Sequence, residues 1–313
     1  MRIAGTSYTD SMVNQLDFLS AQQYQLQNQV STGQSITAPS DNPAGMAEAL
    51  NLQADNSALT QYAQNISTLQ TRATIAGNAL TSLQTISEQA SEIATSADST
   101  ATPAELQADA GEVTQLIQQA AQLMNTQDGS QYVFGGTASG SAPFIVTTDA
   151  NGNVTAVTYS GNTDVAESEI SQGVTTTVDA PGENNTGTGP RGVISDSRYG
   201  ADFFNHLISL QNDLQAGNTS AIASTDAPNL TNDDNNIIYQ VASNGATQTR
   251  LSAAASFAST QQSGLQTSLS NVAGVDLTQT LTQLSQTNNA YQAALETSSQ
   301  FLQMQQYVLS LLP

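Results

Sequence analysis

Few residues in this chain have the type and spacing to do chemistry, and each has a plainer reading beside it. Gly187, Gly189 and Gly192 in GTGPRG satisfy the G-x-G-x-x-G spacing of a dinucleotide loop. Such a loop cradles a pyrophosphate only when a buried strand delivers it and a helix opens directly after it. No apolar strand precedes these glycines and no helical pattern follows them, so they read as a turn-rich loop. Asp149, Asn151 and Asn153 resemble the start of a calcium-binding loop. Val154 stands where the sharp turn needs glycine, and Ser160 where a bidentate glutamate would close the site. Asp233 and Asp234 are read as carboxylates at the head of a helix, where free N–H groups attract negative charge. His206 is the only histidine, so any general-base mechanism would run through it. Its surroundings, DFFNHLISL, read as a short amphipathic helix, no G-x-S-x-G nucleophile motif occurs, and lysine and cysteine are absent. The residues therefore predict no catalytic group, no cofactor and no metal.

Composition narrows the class further. The 313 residues are ample for a buried core, yet only 5% are aromatic and 10% charged, with no tryptophan. Twenty-six acids against five arginines give a formal net charge of −21. Long-range repulsion from phosphate then argues against a nucleic-acid partner. The lack of cysteine removes disulfides and thiol chemistry and suits a chain that crosses compartments. No apolar run approaches 18 residues, and MRIAGTSYTDSMVNQ has no basic flank before an apolar stretch. Neither a membrane span nor a Sec signal is expected.

The elements carry more information than the motifs. In the tail, Leu277, Leu281, Leu284, Asn288, Tyr291, Leu295, Ser298, Leu302, Gln305, Leu309 and Leu312 step by four and three residues, a coiled-coil seam. At the front, Met12, Leu16, Leu19, Gln23, Leu26 and Val30 repeat the alternation. Ordering about 35 residues costs roughly 1–2 kcal/mol each in backbone entropy. Eight buried large side chains return only about 1.5–3 kcal/mol apiece. An isolated end is therefore expected to be disordered until a helical partner covers it. The assembly residues predicted from these seams are Met12, Leu16, Leu19, Leu26, Val30, Leu281, Leu284, Tyr291, Leu295, Leu302, Leu309 and Leu312.

Between the ends, the front helix is expected to stop near Gly33, in a Gly- and Pro-rich stretch. Pro43 then opens a second helix, with Asn42 or Asp41 as cap. Its heptad runs from Leu59 through Ile66, Ala73, Leu80 and Leu83 to Ala97. Thr102, Pro103 and Glu105 form a capping-box start for a third helix that ends before Gly129. From about 130 to 200 the pattern changes to short alternating runs, with a hairpin expected to turn at Asn151-Gly152 in a type I′ geometry. A short amphipathic helix follows from Asp202 to Leu214, then a polar linker through Asn229. A further heptad helix runs from Ile237 to Val272, with a joint at Gly274 and Asp276.

The fold class predicted is mainly α with a β insert: a long antiparallel helical coiled-coil rod built from both termini, with a central β-rich outer domain. The expected divisions are an N-terminal assembly helix and loop (1–42), the N-terminal part of the rod (43–129), the β-rich outer domain with a short helix (130–230), the C-terminal part of the rod (231–275) and a C-terminal assembly helix (276–313).

Ser31-Thr32-Gly33 and the stretch APSDNPAG, residues 38–45, resemble the loop between the first two helices of the flagellin family. LSNVAGVDLTQTLTQLSQTNNAYQAAL, residues 269–295, and the VLSLLP ending resemble that family's C-terminal signature. Within the family, GSQYVFGGTASGSAPF, VTYSGNTD and ISQGVTTTVDAPG are more similar to a subunit at the boundary of hook and filament than to a filament flagellin. The resemblance implies a flagellin-like fold and a non-enzymatic structural subunit of the bacterial flagellum. It also implies export without a cleaved signal through the flagellar type III pathway, and an extracellular location. Implied partners are identical copies in a ring, the first hook-associated protein on the hook side, flagellin on the filament side, the export apparatus and an export chaperone; nucleic acid and membrane are not among them. The alternatives are filament flagellin itself, a surface adhesin on a helical stalk, and an enzyme housed in the β insert.

Overall fold

The structure is a computed structural model that describes residues 2–97 and 99–310; for residues 2–8, 305 and 308–310 it describes the backbone only. Seven α-helices and eight short strands follow one another among the described residues. They are α1 (Arg2–Thr32), α2 (Pro43–Ser96), α3 (Pro103–Met124), four strand pairs, α4 (Phe203–Ala216), α5 (Thr219–Ala221), α6 (Ala227–Ala273) and α7 (Leu277–Ser310). A π-helical turn, Ile222–Asp226, joins α5 to α6. Two compact units result, one from Leu59 to Ser259 and the other from the stretches on either side of it.

The central unit is built on the heptads of α2, α3 and α6. Ile66, Leu69, Ala73, Leu80 and Leu83 of α2 are buried, as are Leu106, Val113, Ile117 and Met124 of α3 and Ile237 and Leu251 of α6. Small residues let α2 and α6 approach closely. A Cβ on Gly77 would stand 2.8 Å from Asn244 Oδ1, and Gln248 Nε2 donates to the Ala73 carbonyl at 3.2 Å. The capping box of α3 forms as its sequence predicts: Thr102 N–H donates to Glu105 Oε2 (2.8 Å), and Glu105 N–H to Thr102 Oγ1 (3.3 Å).

The β insert consists of four antiparallel pairs: β1–β2 (Gln127–Asp128, Gln131–Tyr132), β3–β4 (Phe144–Thr148, Val154–Tyr159), β5–β6 (Ser168–Ser171, Val174–Thr176) and β7–β8 (Ser195–Asp196, Ala201–Asp202). A lone hairpin is marginal in water, so each pair depends on helices and side chains to hold it. Asn125, at the end of α3, acts as a surrogate strand partner for β3. Its Nδ2 donates to the Phe144 carbonyl (2.8 Å) and its Oδ1 accepts from Phe144 N–H (2.9 Å). Phe144 stacks obliquely on Tyr159 and Phe204, with centroids 5.0 and 5.4 Å away. Buried Gln211 of α4 reaches both neighbours: its Oε1 accepts from Thr114 Oγ1 (2.8 Å) and Val154 N–H (3.3 Å), and its Nε2 donates to the Val154 carbonyl (3.1 Å).

Three expectations are corrected here. The β3–β4 loop is not a type I′ turn, because Gly152 alone in it has positive φ (89°) and no described non-glycine residue does. Asp149 makes the difference, accepting from Asn151 and Asn153 N–H at 2.8 and 2.9 Å and closing a five-residue loop. The stretch after α4 is no polar linker. Gly217, left-handed at φ 67°, ends α4; Asn218 then caps α5, and helix continues through the π turn into α6. Consequently Asp233 and Asp234 lie inside helix rather than at its head. Asp233 is buried, accepting from Asp202 N–H (2.7 Å) and hydrogen-bonding to His206 Nδ1 (2.7 Å).

Several acidic groups in this unit titrate high. Burial, reinforced by the Asp202 charge, pushes Glu183 up from its ordinary 4.5 to about 7. Burial likewise raises Asp233. For His206, burial acts downward, but the hydrogen bond and charge of Asp233, with Asp202 and Asp226 nearby, hold it above its ordinary value. Groups whose folded pKa exceeds the unfolded one favour the fold at low pH, and that contribution is lost as pH rises through the folded value. The melting midpoint should therefore fall between pH 5 and pH 8 in calorimetry, and Glu183→Gln should flatten the decline; an unchanged slope would refute this origin. Gln211→Ala, which strands Thr114 and Val154 polar groups in the core, should cost about 1–3 kcal/mol in denaturant titration.

Candidate assembly surface

The unit that contains both chain ends pairs α1 with α7. Among the described residues each is therefore the helical partner that the other was expected to need, supplied from within the chain. Leu19 and Leu26 are buried in α1, and Met12, Leu16, Gln23 and Val30 are half-buried, so the front seam lies on its covered face.

The tail seam divides. On α7 the residues that lose exposure are Thr280, Leu284, Thr287, Asn288, Tyr291, Ala294, Ser298 and Phe301, which apart from Asn288 follow at steps of four and three. Leu277, Leu281, Leu295 and Leu302 remain 49%, 51%, 44% and 52% exposed. At 3.6 residues per turn the centre of this leucine stripe lies about 75° around the helix from the covered face. Leu284, Tyr291 and Ser298 belong to both rows. Of the predicted assembly residues, Met12, Leu16, Leu19, Leu26, Val30, Leu284 and Tyr291 thus come together inside the chain, while Leu281, Leu295 and Leu302 face outward. The Leu309 side chain and Leu312 lie outside the described residues. Thr280, Thr287 and Ala294 were not in the expected seam; their 3–4 spacing was the available signal, but their small or hydroxylated side chains hid it.

The ends of the two helices are fastened by backbone. Ser35 N–H donates to the Ala273 carbonyl (2.7 Å) and Val275 N–H to the Gly33 carbonyl (3.1 Å), an antiparallel bridge between Gln34 and Gly274. Gly33 holds a φ of 70° at the end of α1, a left-handed conformation that suits glycine. Each following helix is then capped locally. Asn42 Oδ1 accepts from Gly45 N–H (3.0 Å) to start α2, and Asp276 Oδ1 accepts from Thr278 and Gln279 N–H (2.9 and 3.1 Å) to start α7. Asp41 braces the loop by accepting from Thr37 N–H, Thr37 Oγ1 and Ala38 N–H (3.0, 3.1 and 2.9 Å), and these bonds, the Ala38 one foremost, lower its pKa. Across α7 the only charged side chain is Glu296. An apolar stripe among uncharged amides and hydroxyls meets little electrostatic penalty when covered.

The motifs that could do chemistry are structural in their surroundings. Asn184 holds the GTGPRG loop from within, its Nδ2 donating to the Thr188 and Pro190 carbonyls (2.7 and 2.5 Å). A Cβ on Gly192 would run into the Ser195 carbonyl, so that glycine serves close packing of backbone. Asp149 spends its oxygens on amides of its own loop. His206 is engaged by the Asp233 carboxylate rather than by a nucleophile. Among the described residues no group of three His, Asp or Glu side chains could hold a metal, and no helix is long and apolar enough to cross a membrane.

Two family profiles match the chain. The bacterial flagellin N-terminal helical region covers residues 5–139, and the bacterial flagellin C-terminal helical region covers 229–312. No curated protein matches. Among solved structures, the chain is similar to a Vibrio parahaemolyticus protein assigned to the flagellar hook-associated proteins, at 20% identity and a TM-score of 0.63, over 75% of this chain and all of that one. FlgL of Bacillus cereus aligns at 19% identity and a TM-score of 0.55, and FlgL of Xanthomonas campestris at 17% and 0.56, each over 70% of this chain and 99% of theirs. With both terminal helical regions matched and the fold shared with these proteins, the chain belongs to the flagellin family, whose members are structural rather than enzymatic.

Proposed function

We propose that this chain is a FlgL-type hook-filament junction protein, hook-associated protein 3, which joins the flagellar hook to the filament through its terminal helices. The observation that carries the assembly role is the leucine stripe of α7, left open beside a face already covered by α1. The likeness to FlgL structures supports the junction over the filament, as do the central stretches quoted above. The terminal regions by themselves are common to filament flagellins, which keeps filament flagellin as the second reading.

On this reading the protein is exported by the flagellar type III pathway, with a chaperone, and forms a ring between the first hook-associated protein and flagellin. The absence of cysteine avoids crosslinks on the way out. Met12, Leu16, Leu19, Leu26 and Val30 shape the pair inside each subunit. Leu281, Leu295 and Leu302 make contacts between subunits, with Leu309 and Leu312 continuing the seam.

Two experiments test this. Each buried leucine contributes about 1.5–3 kcal/mol, so replacing Leu281, Leu295 and Leu302 together by Gln should abolish incorporation into flagella while circular dichroism keeps the helical signal. Normal flagella from that variant would refute the assembly role. Deleting the gene should release polymerising flagellin into the medium; loss of the filament subunit itself would instead identify a flagellin.

A further inference from the structure

Helix α6 carries a second heptad row that the core does not use. Tyr239, Ser243, Ala246, Arg250, Ala253 and Phe257 follow at steps of four and three, and all six are exposed, Tyr239 at 49% and Phe257 at 57%. The row extends about 27 Å at 1.5 Å per residue, with aromatic side chains at its ends and small ones that permit close approach between them.

Two arginines serve this face without an acidic partner of their own. Arg250 is held in place by a hydrogen bond to Thr176 Oγ1. Arg191 lies between two rings, its guanidinium carbon 3.5 Å from the Tyr199 centroid and 4.3 Å from the Tyr239 centroid, and its Nε donates to Asn236 Oδ1 (2.5 Å). Among the described residues, the arginines in ion pairs are Arg72, with Asp179, and Arg198, with Asp196. A cavity of about 290 Å³ opens beside Tyr239 and Arg191, floored by Leu80 and Phe134. Tyrosine and arginine are the residue types that most often dominate binding energy.

We propose that this face docks a second copy of the chain through the exposed carboxylates Glu88 and Glu92 of its α2. Charge complementarity and the spacing of its two carboxylates favour that occupant. Copies carrying −21 each repel, so a stable contact must set cations against carboxylates. Glu88 and Glu92 are both exposed and one helical turn apart, and neither belongs to an ion pair among the described residues. The opposed helices would seat an acidic ridge along the Ser243–Ala246–Arg250 groove, with the aromatic ends excluding water.

The proposal rests on the chain being an assembling subunit, and the test separates the two. A benzophenone-bearing residue would replace Ala246 or, separately, Leu295 in the full chain, with crosslinking by light in isolated flagella. The Ala246 probe should give an adduct of twice the chain's mass whose linked peptide contains Glu88 and Glu92. Its yield should fall by up to about fivefold in Arg250→Gln, the upper end expected for an exposed ion pair. It should also fall in Glu88→Gln/Glu92→Gln, which changes no residue of α6. Dimer from the Leu295 probe but none from Ala246 would overturn this proposal alone, and dimer from neither would overturn the assembly reading as well. An adduct to a different protein, or to another segment of the second copy, would overturn the pairing with α2.

Discussion

One helix carries two adjoining rows, one covered by its partner and one open, and that division governs the terminal unit. α7 presents Thr280, Thr287, Ala294 and Phe301 on the side that loses exposure, and Leu277, Leu281, Leu295 and Leu302 on an adjoining side. Had the leucines occupied the covered row, the chain would pair more tightly with itself and have little left to offer a neighbour. Thr280, Thr287 and Ala294 alternate on the inner row with Leu284, Tyr291 and Phe301, so that row is less uniformly apolar than the outer one. The leucines of the outer row thereby stay in contact with solvent.

The central unit solves a different problem, namely how to fix four short hairpins with few aromatic side chains and no lysine. Side-chain amides do much of this. Asn125 pairs with β3, Gln211 bridges α4 to α3 and β4, and Asn184 organises the glycine loop from inside. Asn236 donates to the Gly192 and Val193 carbonyls (3.0 and 2.6 Å), tying that loop to α6. An amide donates and accepts at once, so it can satisfy irregular backbone without importing charge. In a chain so acidic this is an economical way to bury loops.

Much of the fold was legible because periodicity reports which face of a helix is covered. The heptads of α2 and α6 and the capping box of α3 read directly into structure. What could not be read had specific causes. The stretch 218–229 looks like a linker because Asn, Ser, Thr and Pro dominate it, yet Asn218 and Pro228 fit the first turns of helices. The turn after β3 depended on Asp149 accepting from two amides, a local bond that outweighs the Asn-Gly preference. The tail seam showed where α7 is apolar but not which row faces α1, because a helix with two adjoining rows gives one blurred pattern.

The Gln34–Gly274 bridge has a consequence for the order in which the chain acquires structure. It joins backbone positions separated by about 240 residues, a contact whose loop-closure entropy is recovered only after the intervening chain is compact. Contacts of such long range form late, whereas hairpins and helix pairs with near neighbours form early. The clasp between front and rear therefore carries a larger loop-closure cost than any hairpin of the central unit, and the helices on either side of it must offset that cost.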